Sequence, residues 1–159
     1  MPLKDVLRFI ISILICQAAG FIGSLFTSPS IPTWYASLKK PSFNPPNWVF
    51  FPVWTALFLL MGISLYILWT QALKDGKANI ALIFFAVQLV LNILWSILFF
   101  GLKSPLFAFI EIIILWLAIL LTILISFSVS KVAGLLLLPY ILWVSFAAVL
   151  NFFLWKLNS

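Results

Sequence analysis

Long apolar stretches alternate with short polar ones along the whole chain. Five of the apolar stretches are long enough for an α-helix to cross about 30 Å of hydrocarbon, which takes about 20 residues. They predict membrane-spanning helices at about 6–26, 48–69, 80–100, 105–127 and 132–157. The predicted fold class is therefore all-α, an integral membrane bundle of five transmembrane helices that forms a single domain over residues 1–159.

A polar, proline-rich stretch from Trp34 to Pro46 separates the first two predicted helices. Pro41, Pro45 and Pro46 lack an amide donor, and each biases the residue before it toward extended geometry. The stretch is therefore predicted to be a stiff loop that carries aromatic side chains such as Tyr35. We expect this first loop to act as a lid over whatever space the helices enclose.

Another proline interrupts the fifth predicted helix. Pro139 removes one backbone hydrogen bond and predicts a kink in the helix. Beyond the kink, Trp143, Ala147 and Leu150 share one helical face by their i, i+4, i+7 spacing. This face is predicted to point into the bundle.

Few polar side chains lie inside the predicted spans. Gln88, Asn92 and Ser96 form one stripe of the third helix and must face protein or water, because an unpaired polar group in lipid costs several kcal/mol. For Gln88 we favour a hydrogen bond between helices. Glu111 lies inside the fourth helix, and both structural pairing near the membrane interface and proton or cation handling stay open for it.

The composition places the chain in a membrane and excludes several classes of function. It is 65% hydrophobic and 8% charged, far from the roughly 45–50% apolar and about 25% charged residues of soluble domains. The net charge of +6 does not indicate nucleic-acid binding, because the basic residues lie almost entirely at the ends of spans. They also leave the orientation and the host membrane undecided, since Lys4, Arg8, Lys74, Lys77 and Lys131 on one side nearly balance Lys39, Lys40, Lys103 and Lys156 on the other.

The inventory of reactive side chains excludes a conventional catalytic site. The chain has no histidine, a single cysteine and three acids. Asp5, Asp75 and Glu111 fall in different segments, so neither an acid/base pair nor a carboxylate metal cluster is expected. We predict that no metal and no resident cofactor is required.

Three motifs follow each other along the chain: WYxxLxKPxxxPPxWxxxPVWxxLxxxMGxxxYxxW at 34–69, NxxWSxxFFGL at 92–102 and PYxxWxxFAxxLN at 139–151. By these motifs the chain resembles the TspO/MBR family, the tryptophan-rich sensory proteins related to the mitochondrial translocator protein. The resemblance covers nearly the whole chain. It implies a bundle of five transmembrane helices, usually a homodimer, with a cavity closed by the first loop.

The resemblance also implies ligands and the residues that bind them. The expected ligands are porphyrins such as protoporphyrin IX, and in many members sterols and benzodiazepine- or isoquinoline-type drugs. A weak sterol-recognition pattern at the C-terminus is broken here, because Phe152 and Phe153 stand where it needs a central tyrosine. Matched by motif position, the ligand-binding residues would be Tyr35, Pro45, Pro46, Phe50, Trp54, Phe58, Asn92, Trp95, Trp143, Ala147 and Leu150.

The tryptophans divide into two groups by predicted depth. Those near the ends of spans, Trp48, Trp69 and Trp155, are expected in an aromatic belt at the membrane surface. The deeper ones on faces with matched positions, Trp54, Trp95 and Trp143, are expected to line the cavity. For Trp116 we favour packing or contact with lipid.

Three functions remain open. The leading one is a membrane receptor, sensor or carrier for a tetrapyrrole or another flat apolar molecule. The second is an enzyme-like degradation of protoporphyrin IX by light and oxygen, in which Trp54 and Trp143 would position the porphyrin or exchange electrons, so that porphyrin is ligand or substrate. The third is a structural protein that acts through its dimer surface.

Overall fold

Helices account for all the regular structure in the computed structural model, which describes residues 2–76 and 78–159. Lys77, one of the basic residues in the predicted turn after the second helix, lies outside these residues. The helices are α1 (Leu3–Ser30), α2 (Asn47–Asp75), α3 (Asn79–Ser96), α4 (Pro105–Val129), α5 (Lys131–Leu136) and α6 (Leu138–Asn158). With the short extensions described below, they give five segments that are long and apolar enough to cross a membrane, which confirms the all-α, multi-pass membrane fold.

The first span runs further than the sequence predicts. Pro29 lies inside α1, and α1 continues into a π-helical turn over Ile31–Tyr35. The prediction that Trp34 and Tyr35 belong to an extended loop is therefore wrong. Local hydrogen bonds help the helix continue, since the Thr33 hydroxyl donates to the Pro29 carbonyl at 2.8 Å.

The third and fifth spans are both irregular. A second π-helical turn, over Ile97–Gly101, follows α3 and turns Phe99 and Phe100 into the bundle, where both are buried. The fifth span is interrupted at Leu137, between α5 and α6, two residues before Pro139. Pro139 lies next to this interruption, and the kink predicted from it stays a prediction.

The second half of α2 packs against the helices around it. α1 lies along α2, and α3 and α6 lie along α4. Gly62 lets α1 approach, because a Cβ at this position would lie 2.8 Å from the Cα of Ile13. The Ser64 hydroxyl donates to the carbonyl of Ala133 in α5 at 2.9 Å. Leu68 and Phe85 are fully buried in the same region.

The first loop is attached to the end of α6. The Asn158 side chain accepts from the backbone N–H of Lys39 and donates to its carbonyl, both at 2.9 Å. The Phe43 ring packs edge-on against Phe153, with 5.4 Å between ring centroids. At the start of the loop, the Tyr35 hydroxyl donates to the Asn44 side-chain oxygen at 2.8 Å. These contacts fix both the loop and the end of the last helix.

Candidate functional site

A cavity of about 380 Å³ opens in the half of the bundle that lies toward the first loop. Its wall comes from α1 and the π turn after it, α2, α3 with its π turn, and α6. Aromatic and small side chains make up most of the wall. The lining residues include Gln17, Gly20, Gly23, Tyr35, Phe50, Trp54, Phe58, Asn92, Trp95, Phe99, Trp143, Ala147, Leu150 and Asn151.

The structure brings most of the predicted site residues together. All of them line this cavity except Pro45 and Pro46. Within the described chain, no residue from 36 to 46 contributes to the wall, so the loop meets the cavity through its flanking residues Tyr35 and Asn47. The binding of a ligand by these residues, and the action of the loop as a lid, stay predictions.

The aromatic rings of the cavity form two groups. Trp54 stacks on Phe58 with 5.5 Å between ring centroids, and Trp95 stacks on Phe99 at 5.1 Å. Stacked pairs hold each other's ring planes and lose little conformational entropy when a ligand packs against them. They present flat apolar surfaces from α2 and from the end of α3.

Phe50 connects the α2 group to the last helix. Its ring packs edge-on against Trp143, with 6.2 Å between centroids. Trp54 and Trp143, the two candidates for the photochemical role, therefore line one cavity from different helices. Because Phe50 touches Trp143 directly, the two helices are held together at this level by aromatic contact.

Polar groups of the wall are bonded to one another. The Asn92 amide donates to the Tyr140 hydroxyl at 2.9 Å, so Asn92 both joins two helices and lines the cavity. The Trp95 indole N–H donates to the Asn151 side-chain oxygen at 3.0 Å. The Asn151 amide donates in turn to the Pro105 carbonyl at 2.8 Å. These bonds fix the wall where α3, α4 and α6 meet.

Sequence reasoning missed the wall that α1 contributes. Gln17, Gly20, Gly23 and Ser24 share a face, a pattern that also fits simple helix packing, and only the structure shows that this face lines the cavity. A Cβ at Gly20 would lie 2.7 Å from the ring of Phe58. The glycine thus leaves room for an aromatic ring of the site.

The cavity reaches the outer surface between α1 and α2. Phe21 and Phe51 both line it, although 65% and 79% of their surfaces are exposed. Between the two helices, the Gln17 amide donates to the Thr55 carbonyl at 3.1 Å. A ligand in the cavity would therefore face the surrounding lipid through the gap between these two helices.

The structure also bears on the predictions made for Gln88, Trp116 and Trp48. The prediction of a hydrogen bond between helices for Gln88 is wrong, because its buried amide has no partner among the described residues. The Trp116 indole donates to the Ser145 hydroxyl at 2.8 Å, which confirms a packing role. Trp48 is 73% exposed, as expected of a residue at a membrane surface.

The sequence comparisons agree with this arrangement. Residues 12–156 match the sequence profile of the TspO/MBR family. The chain is 46% identical to the tryptophan-rich protein TspO of Chlorobaculum tepidum, with 98% of each chain covered. It is 49% identical to the tryptophan-rich protein TspO of Archaeoglobus fulgidus, over 98% of this chain and 99% of that protein. The translocator protein of Homo sapiens is 36% identical, over 87% of this chain and 82% of that protein.

Proposed function

This chain belongs to the TspO/MBR family of integral, multi-pass membrane proteins, and from that premise we propose that its cavity binds protoporphyrin IX and similar flat apolar ligands. Relatives named tryptophan-rich sensory protein and translocator protein support a role as a membrane sensor or receptor. Sterols and isoquinoline- or benzodiazepine-type molecules belong to the same proposed class of ligands.

The observation that carries the proposal is the aromatic wall. Small-molecule sites are concave spaces of roughly 300–1,000 Å³ with mostly apolar walls and a few polar groups, and this cavity has that size and chemistry. Trp54 and Trp95 offer flat faces for a planar ring system. Polar side chains of the wall, among them Asn47, Asn92 and Ser96, are available to orient it.

Titration of the purified protein with protoporphyrin IX, followed by the shift of the porphyrin Soret band, tests this function. Trp54→Ala and Trp143→Ala are each expected to weaken binding about tenfold, since aromatic contacts contribute on the order of 0.5–1.5 kcal/mol beyond the buried area. Trp48→Ala is the matched control, because Trp48 does not line the cavity. Equal affinities in all three variants and the wild type would exclude the cavity as the porphyrin site.

The first loop is proposed to close over the bound ligand. Lys39 is exposed and Lys40 is half-buried at the cavity end of the bundle, where their charges would attract the propionates of a porphyrin. Hydrogen exchange in residues 36–46 is expected to slow when protoporphyrin IX saturates the protein. Phe43→Ala, which removes the ring packed on Phe153, is expected to reduce that protection. Equal exchange rates with and without porphyrin would exclude a lid.

A second candidate function, degradation of protoporphyrin IX by light and oxygen, is favoured by the two tryptophans on one cavity. Trp54 of α2 and Trp143 of α6 carry oxidisable indoles on different helices of the wall. The porphyrin would supply the photochemistry with oxygen, while the indoles position it or exchange electrons. Illumination of wild type, Trp54→Phe, Trp143→Phe and empty micelles separates the possibilities: a discrete product from wild type alone supports the activity, and equal bleaching in empty micelles excludes it.

Assembly as a homodimer is part of the same proposal, because it follows from family membership. Light scattering of the purified protein in detergent is expected to give twice the mass of one chain. A single-chain mass at all protein concentrations would contradict it.

A further inference from the structure

Glu111 of α4 is the one buried Asp, Glu, Lys or Arg among the described residues, and only 5% of its surface is exposed. Neither of its carboxyl oxygens has a hydrogen-bond partner in the described chain. Asp5, by contrast, has an ion pair with Arg8 at the start of α1. Glu111 therefore has no counter-charge to stabilise an ionised carboxylate.

Tyr140 lies in the core beside the cavity wall. Its side chain is almost fully buried and belongs to the same cluster of core side chains as Ile112, the residue that follows Glu111 on α4. On the cavity side, its hydroxyl oxygen accepts from Asn92 at 2.9 Å, and its ring packs on Trp54 with 6.3 Å between centroids. Both Asn92 and Trp54 line the cavity, so Tyr140 contacts two residues of its wall.

The hydrogen-bonding capacity of this group is incomplete. Asn92 uses the oxygen of the Tyr140 hydroxyl as acceptor, which leaves the phenolic hydrogen free to be donated elsewhere. The Gln88 amide, one turn before Asn92 on the same face of α3, is 1% exposed and also lacks a partner in the described chain. Buried polar groups without protein partners are sites where internal water binds.

We propose that Glu111 is a proton-binding site inside the bundle, connected to the cavity through Tyr140 and Asn92. A proton from water binds one carboxylate oxygen and gives the neutral acid, and it returns to water when the site empties. An apolar interior without a counter-charge favours the neutral form. The titratable side chains in the same core are Tyr140 of α6 and Cys16 of α1, while the described residues of α3 include no titratable side chain. The site does not depend on which ligand the cavity takes.

Infrared spectroscopy of the whole chain in nanodiscs of ether-linked lipids, which have no ester C=O band, tests the proton site. The C=O stretch of a neutral carboxylic acid is separated from the bands of carboxylates and amides. The wild type at neutral pH is expected to show such a band, which disappears in Glu111→Gln and persists in Asp5→Asn, a change to the ion-paired acid. A wild-type spectrum without the band, or a band that only Asp5→Asn removes, overturns the proposal, and the wild-type measurement needs no variant to fold.

A second pair of variants tests the connection to the cavity. Tyr140→Phe keeps the ring on Trp54 but removes the hydroxyl, so the frequency of the Glu111 band is expected to shift. Tyr66→Phe is the matched control, since Tyr66 packs on Phe9 between α1 and α2, and it is expected to leave the band unchanged. A band that Tyr140→Phe does not shift, or that Tyr66→Phe shifts equally, overturns the connection.

Discussion

The two halves of this bundle are built from the same long helices but are filled differently. The cavity half, around Trp54, Trp95 and Trp143, surrounds a space of about 380 Å³ with stiff aromatic rings and hydrogen-bonded amides. In the packed half, Leu68 and Phe85 are fully buried, and the space beside Phe85 is a smaller groove of about 200 Å³. Between helices in a membrane, an apolar side chain is buried from lipid and not from water, so the hydrophobic effect contributes little. Close contact itself therefore stabilises the packed half. The cavity half depends instead on ring contacts and polar bonds.

Two glycines of the α1–α2 contact show the difference in detail. A Cβ at Gly62, in the packed half, would meet the backbone of Ile13 at 2.8 Å. A Cβ at Gly20, in the cavity half, would meet the Phe58 ring at 2.7 Å. Backbone cannot move without shifting a helix, whereas the Phe58 ring, together with the Trp54 ring stacked on it, has the adjoining cavity to shift into. A glycine is therefore required more strictly at position 62, in the packed half, than at position 20, in the cavity half.

The largest difference between the halves is expected from side-chain truncation. Leu68→Ala leaves a new void in the packed half and is expected to lower the free energy of unfolding by about 2–5 kcal/mol. Phe50→Ala is expected to cost roughly 1 kcal/mol, because the space it vacates joins an existing cavity. Unfolding in mixed micelles with rising SDS measures both. Equal losses would show that the cavity wall is as tightly packed as the rest.

Adding a methyl group to each glycine tests the same contrast from the other direction. Gly62→Ala is expected to destabilise the protein by about 1–3 kcal/mol through overpacking against Ile13. Gly20→Ala is expected to cost less and to reduce the space for ligand, since the Phe58 ring turns toward the cavity. Thermal unfolding and porphyrin affinity together measure this. A larger loss of stability from Gly20→Ala would contradict the comparison.

The contribution of polar bonds to the cavity half is expected to be smaller. Asn151→Leu removes the bonds to Trp95 and to the Pro105 carbonyl and is expected to cost roughly 1–2 kcal/mol, given about 0.6–1.7 kcal/mol for each bond inside a membrane. Trp95→Phe removes only the first bond and is the partial control. An unchanged unfolding curve for Asn151→Leu would show that ring contacts alone hold this half.

The smallest effect is expected at the outer contact of α4 with α6. Ser145→Ala removes the acceptor of the Trp116 indole N–H and is expected to cost about 0.6 kcal/mol. In the Ser145→Ala background, Trp116→Phe is then expected to cost less unfolding free energy than it costs in the wild type. A double-mutant cycle measures this difference. Fully additive losses would mean that the bond contributes nothing.

The spans were predictable because hydropathy over 20 residues depends little on local detail, whereas the first loop was not. Pro29 and the polar residues after it are typical of a helix end, yet α1 continues into the π turn. At this position the missing proline donor is offset by tertiary contact, such as the Ser30 hydroxyl donating to the Phe100 carbonyl at 3.0 Å. A bond across 70 residues leaves no local signal.

The cavity residues were predictable only in part, for a related reason. Motif positions on α2, α3 and α6 identified aromatic side chains of the wall, such as Trp54 and Trp143. The α1 wall was missed because Gly20 and Gly23 have no side chain that indicates a ligand. Pro45 and Pro46 were assigned to the wall, but the chain places them beside it. Whether a small residue packs against another helix or lines a cavity depends on its neighbours and not on its type.

Because of the two π turns, the number of residues in a helix helps to determine which side chains face the cavity. A π turn holds an additional residue compared with an α turn, so it acts as a one-residue insertion that shifts the helical phase. If the same residues of Ile97–Gly101 adopted regular α geometry, the residues that follow would be rotated by about 100° relative to Trp95. Phe99 and Phe100 would then leave the face that they share with Trp95. The number of residues in this segment, in addition to their identity, sets which rings meet the cavity.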